Sequence, residues 1–376
     1  MPSTRAQTEG LRVDTERRFL PRFKKSGFGA AERINKRKRK KMKKKTILIC
    51  LLVIPLCLIF IPLSWGMTNI KLGTLNLSSF ATLFIGMDKG FFEAEGIKVE
   101  PVFFKAAQPV AVATATGDID VGAAGMTAGF YNSIAQGMRI ALVAGRGREW
   151  PGFKLTALLV NTEQWKAGTR NLEDLKGKRV GITQFGSTFH YMLGNILEKK
   201  GMSLSDVKIV PLGSVVSMRD ILITQQIEAA FMVQPFVIPL EREQKANVLL
   251  WVGDHIRYQL GGIVYGEKML KNRPAAISFM RGYIRSCRYY YDHALMKKDQ
   301  KAYQEILNLI SKYSGEKPEE IASSLPFNVQ NGELDVEEIQ HQLDWWHRHG
   351  LITKKLSGSE VLDLSFWKEA MQQVGK

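Results

Sequence analysis

From residue 67 to about 255, short apolar runs rich in Val, Ile and Leu alternate with stretches whose apolar residues recur every three to four positions, the pattern of strands interleaved with helices. Ile70–Leu75 is predicted as a first strand, and Ser78-Ser79 stands where it could cap a helix through Met87. Gly90 and Gly96 break the chain before a strand at Ile97–Phe104, and Pro109 suits the first turn of a helix that runs to Thr116. A strand at Ile119–Gly122, a helix opened by Gly125-Met126-Thr127 and a strand at Arg139–Ala144 complete this series. The second series has strands at Phe153–Val160, Arg179–Thr183, Val207–Leu212, Ala229–Val233 and Val248–Val252, with a helix at Met218–Gln226. Its clearest helix opens at Gly186-Ser187-Thr188: Phe189, Met192, Leu193, Ile196 and Leu197 share one face, and Lys199, Lys200 and Gly201 supply a cationic end and a C′ glycine. From Gly261 onward the composition reads as helical to the end.

Two such series followed by a helical tail predict an α/β protein of two lobes with largely parallel sheets, the second lobe inserted into the first. The expected boundaries are 67–154 plus 256–376 for one lobe and 155–255 for the other. A cleft between lobes is the natural ligand site.

Residues 1–66 have a different composition. Of the 53 Lys and Arg residues, 17 lie in positions 1–45 with only 4 of the 36 acidic residues, so this segment carries +13 and the remainder +4. The overall pI near 9.7 therefore gives no reason to expect a nucleic-acid partner. The basic block is followed by a chargeless apolar run from Ile47 to Leu63 and then Ser64-Trp65-Gly66, the three parts of a secretory signal at 46–66. Met42-Lys43-Lys44-Lys45 would begin an ordinary signal, which places the expected start of translation at Met42. Pro55, Pro62 and the small-x-small ending favour cleavage over retention as an anchor. Removal of that segment, with Cys50 and Cys57, leaves Cys287 as a lone cysteine, expected to be a small buried apolar residue.

In parallel α/β layers ligands sit beyond the carboxyl ends of strands, where helices start and backbone N–H groups are unpaired. Three junctions carry small or hydroxyl residues: Ser78-Ser79, Gly125-Met126-Thr127 and Gly186-Ser187-Thr188. Phe80, Phe185 and Trp150 are the aromatic residues best placed for a ligand wall, and Gln234 follows a predicted strand end. Arg146 and Arg148 could neutralise an anion, although arginines beside glycine in a loop are usually solvated. No serine–histidine–acid order, phosphate loop or helical zinc motif is present, and His341, His347 and His349 read as surface or packing residues; neither a cofactor nor a metal is expected.

With these positions fixed, four segments carry a resemblance: Ile70-Lys71-Leu72-Gly73, the run from Asp88 through Gly90-Phe91-Phe92 and Gly96 to Val99, Gly117-Asp118-Ile119-Asp120-Val121-Gly122, and Leu172 through Gly177-Lys178-Arg179-Val180-Gly181 followed by Gly186-Ser187. Over about 69–375 the chain resembles the substrate-binding proteins of nitrate, taurine and alkanesulfonate ABC transporters, a family that includes binders of pyrimidine precursors. The resemblance implies a bilobed periplasmic-binding fold of type II, no enzymatic activity, and a role in presenting a small anionic solute to a membrane permease driven by an ATPase. A heterocyclic ligand, or an anchored ligand sensor, is the alternative it leaves open. The chain is expected to act as a monomer. Relatives often carry an acid where Val233-Gln234-Pro235 stands, which disfavours a ligand with a positive amine such as taurine.

Overall fold

The computed structural model describes residues 66–375, together with Lys36, Arg37, Arg39, Lys40 and Met42, which are helical. The expected signal segment at 46–66 lies outside the described residues except for Gly66, and the expected start at Met42 is not tested by them. Among the described residues no helix is long and apolar enough to cross a membrane.

The strands are β1 (Thr68–Thr74), β2 (Ile97–Phe103), β3 (Val121–Gly125), β4 (Ala141–Glu149), β5 (Thr156–Asn161), β6 (Arg179–Ile182), β7 (Lys208–Pro211), β8 (Ala229–Val233), β9 (Ala246–Trp251) and β10 (Tyr258–Tyr265). They form two five-stranded sheets, ordered β2-β1-β3-β10-β4 and β7-β6-β8-β5-β9. Within each sheet the strands linked by helices run parallel: β1 with β2 and β3, β6 with β7 and β8. The others run antiparallel, β10 with β3 and β4 and β5 with β8 and β9, so both sheets are mixed. The antiparallel strands adjoin the two crossovers between sheets, Glu149 to Thr156 and Trp251 to Tyr258, because a chain that leaves a sheet and later returns comes back in the opposite sense.

Two differences from the sequence pattern matter for the site. The segment after Gly261, expected to be helical, begins with the second half of β10, a central strand with all eight residues buried. Its Gly261-Gly262 pair reads as a break, yet both glycines are needed, since a Cβ on Gly261 would lie 2.5 Å from Ala124 O and one on Gly262 would overlap Leu142. Strand β4 also runs past Ala144 to Glu149, which makes Arg146 a strand residue and not a loop residue.

The helices of eight residues or more are α1 (Ala81–Asp88), α2 (Ala107–Thr116), α3 (Ala128–Ala135), α4 (Thr188–Lys199), α5 (Val215–Ile223), α6 (Arg273–Tyr290), α7 (Gln300–Ser314), α8 (Val336–Arg348) and α9 (Ser365–Val374). α6 buries Phe279, Met280, Tyr283, Ile284 and Cys287 in the core of the first sheet, and burial pushes the Cys287 thiol up to about 12. α8 comes from the tail yet packs on α4 of the second layer: Trp345 fills the space left by the missing side chain of Gly194, and its indole Nε1 donates to Glu198 at 3.0 Å. His349 Nε2 meets the same carboxylate at 2.8 Å and His341 Nδ1 meets the Tyr191 hydroxyl at 2.7 Å. Among the described residues no group of three or more His, Cys, Asp or Glu is arranged to hold a metal.

Candidate functional site

Strand ends from the two sheets face one another across a cleft. On the first side Thr127 caps α3, its hydroxyl oxygen accepting from Phe130 N at 3.2 Å while its O–H donates to Gln108 Oε1 at 2.8 Å. On the other side Ser187 caps α4 and accepts from His190 N at 3.3 Å. The two helix starts meet directly, because Ala128 N donates to Gly186 O at 2.9 Å. Gly186 adopts φ +76°, and a Cβ there would stand 2.9 Å from that of Ala128; only glycine lets the tips approach this closely. His190 Nδ1 accepts from Gly186 N at 3.0 Å and so holds this loop. Burial, with a smaller contribution from His349, lowers the His190 pKa to about 4, which keeps the imidazole neutral and able to accept.

The feature that gives the cleft its electrostatic character is Arg146. It is 2% exposed and borders the cleft from β4. Its Nη1 donates to Ser79 O at 2.7 Å, its guanidinium carbon lies 3.7 Å from the Phe80 ring centroid, and its Nε has no hydrogen-bond partner. Burial lowers its pKa to about 10, so it remains a cation at neutral pH, and among the described residues no carboxylate pairs with it. Lys105 adds a second cation at the exposed mouth, and among the described residues no Asp or Glu lines the cleft. The remaining wall is largely apolar, with Leu77, Phe189, Val215, Val233 and Leu260 facing Arg146 and the hydroxyl residues.

Of the residues singled out in the sequence, the structure brings Ser79, Phe80, Gly125, Thr127, Arg146, Ser187 and Thr188 together in this cleft. The others lie elsewhere. Ser78 and Ser79 sit inside a 3-10 turn and do not cap α1, and Ser78 is buried against Glu316. Met126 is buried in the core and Gly186 contacts Ala128 across the lobes. Trp150 stacks on Phe327 at 4.9 Å under the Arg257 guanidinium, Phe185 is 57% exposed beside His190, and Gln234 turns back on its own chain, donating to Lys154 O at 3.2 Å. Sequence reasoning did not select Gln108, Thr156, Thr183 or Leu260. Gln108 stands at a fourth strand-to-helix junction, whose signal was Pro109 one residue on; Leu260 belongs to the strand hidden by its glycines.

Two α/β layers joined by a double crossover, with helix starts from both closing on one cleft, have the periplasmic-binding-protein fold. Solved structures share it: the alkanesulfonate-binding protein SsuA of Xanthomonas axonopodis pv. citri bound to MOPS (21% identity, TM-score 0.63, covering 78% of this chain and 98% of that one) and the periplasmic nitrate-binding protein NrtA of Synechocystis PCC 6803 (15%, 0.65, covering 82% and 89%). The desulfurization enzyme DSZB also shares it (13%, 0.58, covering 81% and 99%), so the fold alone does not separate binding from catalysis. No curated protein sequence matches the chain. Residues 78–294 match the profile of the family described as NMT1/THI5 like, and the chain belongs to that family.

Proposed function

We propose that this chain is an extracytoplasmic solute-binding protein of an ABC importer that captures a small organic anion with an apolar body, of the alkanesulfonate type, between its lobes. The observation that carries the reading is Arg146: a buried guanidinium that, among the described residues, has no carboxylate partner and borders a cleft lined by no acidic side chain. An unpaired buried cation is unfavourable by itself, and an incoming anion would supply the missing counter-charge. The Ser187 and Thr188 side chains and the starts of α3 and α4 add neutral donors suited to several oxygens on one head group, while the apolar wall suits an alkyl or aryl body better than a bare inorganic ion. A free amine on the ligand would find no carboxylate, which ranks taurine below a simple alkanesulfonate.

The test is thermal unfolding of purified protein against n-alkanesulfonates, taurine, nitrate, carboxylates and pyrimidines. A ligand at 100 times its Kd stabilises by about 2.7 kcal/mol. An alkanesulfonate that raises Tm more than taurine or nitrate supports the reading. A response confined to uncharged heterocycles, or turnover of any compound, removes it.

A further inference from the structure

Gln108 is the second residue of α2 and Gly129 the second residue of α3, and the two stand side by side at adjoining helix starts. Gln108 lines the cleft. The direction of its side-chain amide follows from Thr127. That hydroxyl oxygen already accepts from Phe130 N at 3.2 Å, so what it has left to give is its proton, and Gln108 Oε1 takes it at 2.8 Å. With its oxygen turned to Thr127, the amide keeps its NH2 for another acceptor: among the described residues Nε2 has no hydrogen-bond partner, yet it is not closed off from solvent. Gly129 supplies the room, since a Cβ on it would overlap the Gln108 amide at Nε2, Oε1 and Cδ. Nothing else there calls for glycine. Gly129 lies within α3 without a positive φ, and alanine is the better helix former, so the missing side chain serves the amide.

We propose that Gln108 is a ligand-binding residue, the neutral side-chain donor of the first lobe, with Thr127 fixing the direction of its amide and Gly129 keeping its place open. The proposal rests on the anion-binding reading above and deepens it. Arg146 supplies the charge, and a guanidinium fork can take two oxygens of a head group together. A carboxylate is then satisfied, whereas a sulfonate has a third oxygen that needs a donor elsewhere in the wall. An amide N–H meets that need without adding charge, so the cleft suits a head group with more acceptor oxygens than one guanidinium can hold. Thr127 and Gly129 are positioning residues, because they act on the ligand through the Gln108 amide.

The probe is hexanesulfonate, with Kd measured by calorimetry at pH 7 in a buffer that is not a sulfonate, and with the side-chain amide protons followed by NMR on protein carrying isotope-labelled glutamine. The Gln108 pair is assigned by its loss in Gln108→Met, or in Gln108→Asn should the first variant not fold. The expected result is that these protons move downfield at saturation and that Gln108→Met binds about tenfold more weakly. Gly129→Ala, whose methyl displaces the amide but suits a helix, should lose about as much, and the double variant no more than either single change, since both remove one donor. Amide protons that stay in place at saturation, or undiminished affinity in Gln108→Met, overturn the role of Gln108 and leave the anion reading intact. Losses that multiply in the double variant overturn the part given to Gly129. Failure of hexanesulfonate to bind the wild type at pH 7 removes the anion-binding premise and this inference with it.

Discussion

Arg146 shows how a residue's neighbours can hide its role. Glycines on both sides make it read as part of a solvated turn, but they are there for packing: a Cβ on Gly145 would overlap the Glu333 carbonyl, and Gly147 has φ +61°. The strand between them carries the guanidinium into the interior, where one carbonyl and the face of Phe80 hold it. The hydroxyl caps were legible because Ser and Thr before an apolar helical face satisfy local N–H groups wherever they occur; a buried cation depends on strands far apart in sequence and leaves no local trace. Replacing Arg146 by Met is expected to weaken a bound alkanesulfonate by about 2–3 kcal/mol, roughly 30- to 150-fold, through loss of charge-assisted hydrogen bonds. The same change removes an unpaired buried charge, so the free variant should be as stable as the wild type or more so. Calorimetry and urea unfolding on one preparation check both halves, and undiminished affinity would move the site away from β4.

Secondary-structure elements differ in how far local chemistry specifies them. Helix α4 follows its pattern closely, with Ser187 as cap and a buried face from Phe189 to Leu197. Strand β10 does not, because its two central glycines are required by β3 and β4 on either side and serve no local preference. Gly261→Ala should destabilise by about 2–3 kcal/mol, since the added methyl would sit 2.5 Å from both Ala124 O and Arg146 Nη2; displacement of that guanidinium should weaken anion binding as well. Chemical unfolding resolves this, and a change below about 0.5 kcal/mol would contradict so tight a fit. At the start of α4, His190 makes a pH-dependent contribution. Its folded pKa of about 4 is below the ordinary 6.5, so the neutral ring's stabilisation is complete above 6.5 and is lost as pH falls toward 4, by up to about 1.4 kcal/mol per pH unit. Glu149 and Glu338, both pushed up to about 8 by burial, act in the opposite sense, their contribution being lost as pH rises from 4.5 through 8. The effect of His190 is therefore read as a difference: His190→Gln, which keeps an acceptor for Gly186 N, should lose less stability than the wild type between pH 6.5 and 5. Parallel pH profiles would show that the ring is already protonated in the fold.

In the whole molecule, the tail helix α8 ties the second layer to the carboxyl-terminal segment, with Glu198 of α4 receiving Trp345, Arg348 and His349. Both sheets, the cleft and this tie lie within residues 65–376, which form one compact unit. The +13 charge of residues 1–45 contrasts with the +4 of the rest. That contrast fits a leader that directs export, a basic block followed by the apolar run Ile47–Leu63. If the leader is removed after Gly66, the protein should be released with the periplasm on osmotic shock, and its intact mass should correspond to a chain beginning at or near Met67. A chain expressed from Met67 should also unfold at the same temperature and bind the same anion as the exported protein. Retention in carbonate-washed membranes at the uncleaved mass would make the apolar run an anchor that tethers the lobes at the surface, the arrangement of a fixed receptor and not of a diffusing one.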